Sequence, residues 1–241
     1  MSNFRKQMAR IGASAVMAVV AMASFALAAR PAWADDALNA QQLVEKANLT
    51  LQDFLTNPQM GPALRTLLPK ARAVLIYPQV LRGAFIVGVS GGTGVLLVRD
   101  MASGKWGGPA FYTIGQASFG LQAGGDASEV VLVALTDRGV SALLATSAKL
   151  GVNASVALGP VGWGAEAATQ NLSADIVSYS LSKGLYAGLS LDGAVVAVRD
   201  SLNTAYYGKA MTPTQILVQR EASNPRATAL IEEVAKVAER G

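Results

Sequence analysis

The feature that most constrains this chain is where its glycines fall: 21 of the 24 lie between residues 73 and 208, with short apolar runs between them. Ala73 to Tyr77, Ala84 to Val89, Val95 to Val98, Phe111 to Phe119, Val130 to Leu135, Val152 to Leu158, Ile176 to Leu181, Leu185 to Leu191 and Ala194 to Val198 are each bounded by Gly, Pro, Asp or Ser. Runs of this length between turn formers read as β-strands. One break, Gly139 to Lys149, reads as a helix with Val140, Leu143, Leu144 and Ser147 on one face.

Both flanks read as helical. In residues 35 to 72, Leu43, Ala47, Leu51 and Phe54 share one helical face, and Pro62 suits the first turn of a short helix ending at Leu68. In residues 212 to 241, Thr212-Pro213-Thr214-Gln215 fits a capping box, and Asn224-Pro225 precedes a stripe of Ala229, Leu230, Val234 and Val237. The expected fold is α+β, a single domain over residues 35 to 241. Its core is an antiparallel β-barrel or sandwich-like sheet over 73 to 208, with helices at both ends.

An internal echo bears on that core. Residues 85 to 100 align without gaps with 185 to 200, and Gly88/Gly188, Ser90/Ser190, Val95/Val195, Val98/Val198, Arg99/Arg199 and Asp100/Asp200 are identical. Each copy reads as strand, glycine-containing turn, strand, so two equivalent hairpins are expected.

Composition removes much chemistry. The chain has no His and no Cys, so a Ser-His-Asp triad, a thiol nucleophile, a His or Cys zinc site and a disulfide framework lack their atoms. Gly88-Val89-Ser90-Gly91-Gly92 fits a nucleophile-elbow pattern, but a second strand follows it and there is no imidazole to activate Ser90; a glycine turn is the expectation. Gly162-Trp163-Gly164 lacks the βαβ frame of a dinucleotide site. Asp126 and Glu129, three residues apart, are a carboxylate pair that could share acid and base roles, but they adjoin Gly124-Gly125, where solvated turn carboxylates are common. No catalytic residue, cofactor or metal is assigned, and the expectation is a protein that is not an enzyme.

Residues 1 to 34 read as a secretory signal peptide: Arg5, Lys6 and Arg10 precede nineteen uncharged residues, and Ala32-Trp33-Ala34 supplies a cleavage site near Ala34. The rival is an uncleaved anchor, which nineteen residues are long enough to form; eight of them are Ala, which favours cleavage. The expected location is the periplasm or the exterior. Of the 20 Lys and Arg residues, Arg5, Lys6, Arg10 and Arg30 precede residue 35, leaving sixteen bases against sixteen acids. The remainder is formally neutral, so its overall charge gives no reason to expect nucleic acid as a partner. Charge is nonetheless uneven: no acid lies between Asp53 and Asp100, where Arg65, Lys70, Arg72, Arg82 and Arg99 fall. Such a patch attracts anionic headgroups at ~1 kcal/mol per base near a membrane.

Five ordered segments carry a resemblance: Lys105 to Ala110, Gly115 to Gly125, Leu158 to Gly162, Ser182 to Gly188 and Asn203 to Gly208. Together they resemble SYLF-domain proteins over about residues 40 to 220. The resemblance implies a lipid-binding module; eukaryotic members bind phosphoinositides and some bind actin, while bacterial members are exported. Two departures matter. The family's Trp-Ser-x-Pro is here Trp106-Gly107-Gly108-Pro109, without the Ser, and residues 35 to 60 hold Lys46 against Asp35, Asp36, Glu45 and Asp53. An acidic leading helix is a poor anchor for an anionic bilayer, so headgroup contact is expected instead at Arg65, Lys70, Arg72 and Arg82. The expected partner is an anionic phospholipid or another amphiphile. The alternative is a structural or protein-interaction module of the cell envelope, with an envelope protein as partner. An outer-membrane barrel fits less well, because many runs are apolar on both faces and the chain ends in a charged helix.

Overall fold

A computed structural model describes residues 32–84, 87–119, 124–159, 173–186 and 189–239. The signal-peptide reading up to residue 31, Pro160-Val161-Gly162 and the Gly162–Ala167 segment lie outside the described residues. The fold is α+β: one curled, nine-stranded sheet flanked by helices. The chain enters through α1 (Ala32–Thr56), α2 (Gly61–Leu67) and a 3-10 turn (Leu68–Lys70). Four long strands follow: β1 (Ala73–Ala84), β2 (Val87–Arg99), β3 (Trp106–Phe119) and β4 (Gly124–Ala134). Then come α3 (Asp137–Leu144), β5 (Ser147–Lys149), β6 (Val156–Leu158), β7 (Ile176–Ser182), β8 (Leu185–Tyr186) and β9 (Val195–Val198). The chain ends with α4 (Asp200–Tyr207), α5 (Pro213–Leu217), a 3-10 turn (Pro225–Ala227) and α6 (Thr228–Ala238).

The strand order is β5-β9-β3-β2-β1-β4-β7-β6, with β8 also on β7. Every pairing is antiparallel except β6 with β7. Because successive strand residues point to opposite faces, the apolar runs of β1 and β4 feed two cores. One contains Val74, Ile76, Val95, Leu97, Phe111, Val131 and Val133 with the buried stripes of α1, α2 and α6. The other contains Leu75, Tyr77, Leu96, Tyr112, Val130 and Leu132 with α3, α5 and the segment before β9. In α1 the predicted stripe is present, with Ala47, Leu51 and Phe54 buried and Leu43 half-buried. The capping box at Thr212 is formed, Thr212 Oγ1 accepting from Gln215 N–H. In α6 the buried stripe is Leu230, Val234 and Val237, whereas Ala229 is exposed.

The expected hairpins are not formed. Residues 87–99 are a single strand, so Gly91, Gly92 and Gly94 lie inside β2 and not in a turn, and Ser90 is a mid-strand residue. The second copy splits: β8 pairs with β7, whereas β9 lies between β3 and β5. The reason is a bulge in β1. Its register against β2 slips between Ile76 and Gln79, and against β4 between Tyr77 and Val80. That kink presses backbone and ring onto β2: a Cβ on Gly92 would lie 2.3 Å from Gln79 O, and one on Gly94 2.4 Å from Ile76 O and 2.6 Å from the Tyr77 ring. Glycine within a strand serves close approach here. The predicted helix at Gly139 to Lys149 starts earlier and ends sooner, because Thr136 caps it by accepting from Gly139 N–H and the chain then re-enters the sheet as β5.

Two polar ties fix the periphery. Asn203, fully buried, accepts from Phe111 N–H at 2.8 Å, and Tyr207 OH donates to Pro109 O at 2.7 Å, locking α4 onto β3. Asp175 joins three elements: Thr136 Oγ1 donates to it at 2.6 Å, and Ser155 N–H and Ser155 Oγ donate at 2.9 and 2.8 Å. These bonds, Thr136 foremost, with Arg138 at 3.8 Å, hold the Asp175 carboxyl below the usual carboxylate range against the opposing effect of burial.

Two outcomes follow. Gly94→Val, which drives a side chain into Ile76 O and Tyr77, lowers stability by about 2 kcal/mol or more, whereas Gly83→Ala, with nothing within 4 Å of the new Cβ, changes it by less than about 0.5 kcal/mol; equal urea midpoints for the two variants contradict the bulge account. A depressed carboxyl contributes stability above its unfolded pKa, and that contribution is lost as pH falls through the folded value. Asp175→Asn therefore shifts the urea midpoint most at pH 7, and the gap to the wild type narrows below about pH 4. A gap that stays constant with pH contradicts this role.

Candidate functional site

The four predicted cations do not form one patch. Arg65 is exposed on α2, where its Nη2 donates to Leu55 O at 3.1 Å, and Lys70 is exposed at the end of the 3-10 turn. Arg72, beside Lys70, is ion-paired with Asp137. Arg82 is exposed on β1, ten residues further along the strand. At about 3.3 Å per residue this places it roughly 30 Å from Arg72. The nearer end of the sheet also holds Arg99, donating to Pro69 O and Gly104 O, and Arg220, donating to Lys105 O. Three of these six cations, Arg65, Arg99 and Arg220, are therefore tied to carbonyls, and Arg72 to a carboxylate. A count of charge along the sequence does not show this, because the carbonyls that engage them come from elsewhere in the fold.

The end of the sheet that holds Arg82 is different. Here β1 to β4 extend past the helices, and their two faces separate by character. One face carries Arg82, Ser90, Gln116, Asp126 and Ser128, with a depression of about 40 Å³ among Arg82, Asp126, Ser128 and Leu189. Asp126 accepts from Ser182 at 2.7 Å, and that bond, followed by others and by Lys183, holds its carboxyl low.

The other face is apolar. Pairing aligns Lys149, Val195, Gly115, Gly91, Leu81 and Ala127 in one row across six strands, and Ala117, Val89, Gly83 and Gly125 in the next. Leu81, Val89 and Val195 are 56%, 62% and 41% exposed, so among the described residues this part of the face has no covering layer. The preceding row is polar but for Ala197, with Ser147, Thr113, Thr93 and Gln79. Beside it, Glu129 accepts from Thr50 of α1 at 3.0 Å, and burial raises its carboxyl above the usual range despite that bond. Asp126 and Glu129 thus point to opposite faces, which rules out a shared acid and base role. Among the described residues there is no group of three or more His, Cys, Asp or Glu side chains placed to hold a metal. No helix among them is long and apolar enough to cross a membrane.

The segments that carry the sequence resemblance have structural work in this fold. Lys105 to Ala110 opens β3 and meets Asn203 to Gly208 through the Asn203 and Tyr207 bonds, with Phe111 and Tyr206 rings edge-on at 5.1 Å. Gly208, at φ 72°, ends α4 in the left-handed region.

Comparison with known proteins agrees. The family described as "Ysc84: Las17-binding protein actin regulator" matches residues 115–237, half of the chain. Protein YSC84 of Saccharomyces cerevisiae is 31% identical over 196 residues, covering 78% of this chain and 41% of its own. SH3 domain-containing YSC84-like protein 1 of Bos taurus is 33% identical over 142 residues, 58% of this chain and 41% of its own. LAS seventeen-binding protein 3 of S. cerevisiae is 30% identical over 184 residues, 73% of this chain and 40% of its own. The chain spans about two fifths of the length of these relatives. With a family match over half its length and a relative 31% identical over 78% of it, the chain belongs to the Ysc84, or SYLF-domain, family.

Proposed function

We propose that this protein binds membranes or other anionic amphiphiles through the uncovered end of its sheet, without catalysing a reaction, after export directed by residues 1 to 34. The observation that carries the reading is the apolar face of Leu81, Val89, Val195, Ala117 and Ala127, which no described residue covers. Contiguous exposed apolar surface marks a contact site. In the sequence Phe85, Ile86 and Gly120 to Ala123 carry no charge, and no charge lies between Lys105 and Asp126. Arg82, Lys149 and Lys183 flank the same end and suit the headgroup layer. Of the four predicted cations, Arg82 is the one so placed. Arg65 and Lys70, with the paired Arg72, lie remote from the apolar face and take no part in this contact.

The names of the relatives favour a second reading, a protein-interaction module, since Las17 binding and actin regulation describe protein partners. The same bare face serves either contact, and the two differ in what occupies it.

Flotation with phosphatidylglycerol vesicles tests the first. Burying Leu81 and Val89 contributes ~1.5–3 kcal/mol each when complete, so Leu81→Asp with Val89→Asp lowers binding at least about tenfold. Ser90→Asp, on the opposite face of the same strand, changes it less than about twofold at the same net charge per substitution. Raising salt weakens the contribution of the flanking cations. Wild-type protein that ignores vesicles, or equal loss for both faces, overturns the membrane reading and leaves the bare face to a protein partner.

A further inference from the structure

The polar row at the border of the apolar face runs into a depression beneath α1. Its volume is about 220 Å³, and Asn39, Gln42 and Lys46 of α1, Thr93 of β2 and Arg199 line it over a floor of Leu43 and Leu202. Two cations, two amides and a hydroxyl converge there, and no carboxylate is among the lining residues. Arg199 Nη1 donates to Thr93 Oγ1 at 2.9 Å, which holds the guanidinium at the mouth. A guanidinium has five N–H donors, so further donors remain for a ligand. Lys46 is exposed and has no ion pair among the described residues. A depression of similar size on the other flank of α1, about 210 Å³, sets Glu45 against Arg226, and the one at Arg82 sets Asp126 against the arginine. Of these three, only the Lys46–Arg199 depression is lined by positive charge alone.

Its position relative to the apolar rows is the second observation. Thr93, Gly91 and Val89 follow one another on the same face of β2, so the apolar surface begins roughly 7 Å from Thr93 and reaches Val89 at roughly 13 Å. Gly115 and Gly91 are neighbours in the first apolar row, between Val195 and Leu81. With no side chain at either of these two positions, the row forms a trough with walls of Val195 and Leu81. Among the described residues the trough is open: a Cβ on Gly91 would meet nothing closer than Ile114 O at 3.5 Å, and one on Gly115 nothing closer than Ser90 O at 4.0 Å. These glycines are therefore not required by close packing, unlike Gly92 and Gly94.

We infer that the protein holds a single anionic phospholipid across the edge of α1, its phosphate between Lys46, Arg199 and Thr93 and an acyl chain in the Gly91–Gly115 trough. This rests on the lipid reading above and deepens it from adsorption at a bilayer to seating of one molecule. Charge complementarity selects the occupant: a neutral chain leaves the two cations unanswered, and a free phosphate leaves the trough empty.

Calorimetric titration of the full protein with monomeric short-chain phosphatidylglycerol, and in parallel with glycerol 3-phosphate, tests it. Lys46→Gln with Arg199→Gln lowers affinity for the short-chain lipid at least about tenfold. Gly91→Val with Gly115→Val fills the trough with residues suited to strands. This variant keeps the wild-type melting temperature or raises it, and it loses short-chain lipid at least about tenfold. Its glycerol 3-phosphate binding, weak in the wild type, is unchanged. The added valines make the face more apolar, so simple adsorption predicts equal or stronger lipid binding by this variant, and that result overturns the seated-lipid proposal. Equal affinity of the Lys46 and Arg199 variant overturns it as well. If the wild type floats with vesicles while neither variant differs from it, this proposal fails and the membrane reading stands; if the wild type binds neither vesicles nor short-chain lipid, both fail.

Discussion

The structure depends on a mismatch of lengths. Strands β1 to β4 run 11 to 14 residues, whereas the layers that cover them reach only part of that distance. Over the covered part, alternate side chains enter two separate cores, and Val74, Leu75, Ile76 and Tyr77 are all fully buried in succession. Past the β1 bulge the same strands continue with their hydrogen bonds intact but with one face bare. Backbone pairing carries the described strand residues on without a covering layer among the described residues, because each inner strand satisfies its N–H and C=O groups on both sides. The rigid covered half thus holds out an uncovered half of defined register.

Glycine has two roles in this arrangement, and they occupy adjacent positions. Gly92 and Gly94 accept the close approach of β1, and any side chain there meets backbone or the Tyr77 ring. Gly91 and Gly115, on the face beyond α1, have open space above them. The first pair serves the fold and the second shapes a surface. The acidic character of α1 also finds a place here: Glu45 lies on the flank away from the bare face, while Lys46 lies on the flank toward it. A net balance over residues 35 to 60 averages these two sides and hides the difference.

Much of the fold was legible in the sequence. The stripe of α1, the Thr212 capping box and the Pro62 helix start are local patterns, and local patterns survive folding. The apolar runs of β1, β4 and β7 were identifiable for the same reason. The hairpin turn expected at residues 90 to 94 was not a turn, because the reason for those glycines is a bulge in a neighbouring strand, invisible to any reading of β2 alone. The site was less legible. Arg65, Lys70, Arg72 and Arg82 are close in sequence and share a charge, yet strand length separates Arg82 from the rest and Asp137, 65 residues from Arg72, pairs with it. Conversely Lys46, Thr93 and Arg199 come from three distant segments. The one sequence trace of them was the match of Arg99 with Arg199 in the internal echo, which spoke of repetition and not of a site.

The central claim is that the bare sheet end, and not the basic segment near the 3-10 turn, meets lipid. Since the chain has no native cysteine, a single Cys at Val89, at Ser90 or at Lys70 can carry a polarity-sensitive fluorophore without competing labels. On addition of phosphatidylglycerol vesicles the account predicts a blue shift and a rise in intensity for the probe at residue 89, a smaller change at 90, and little at 70. A shift at 70 with none at 89 would contradict it.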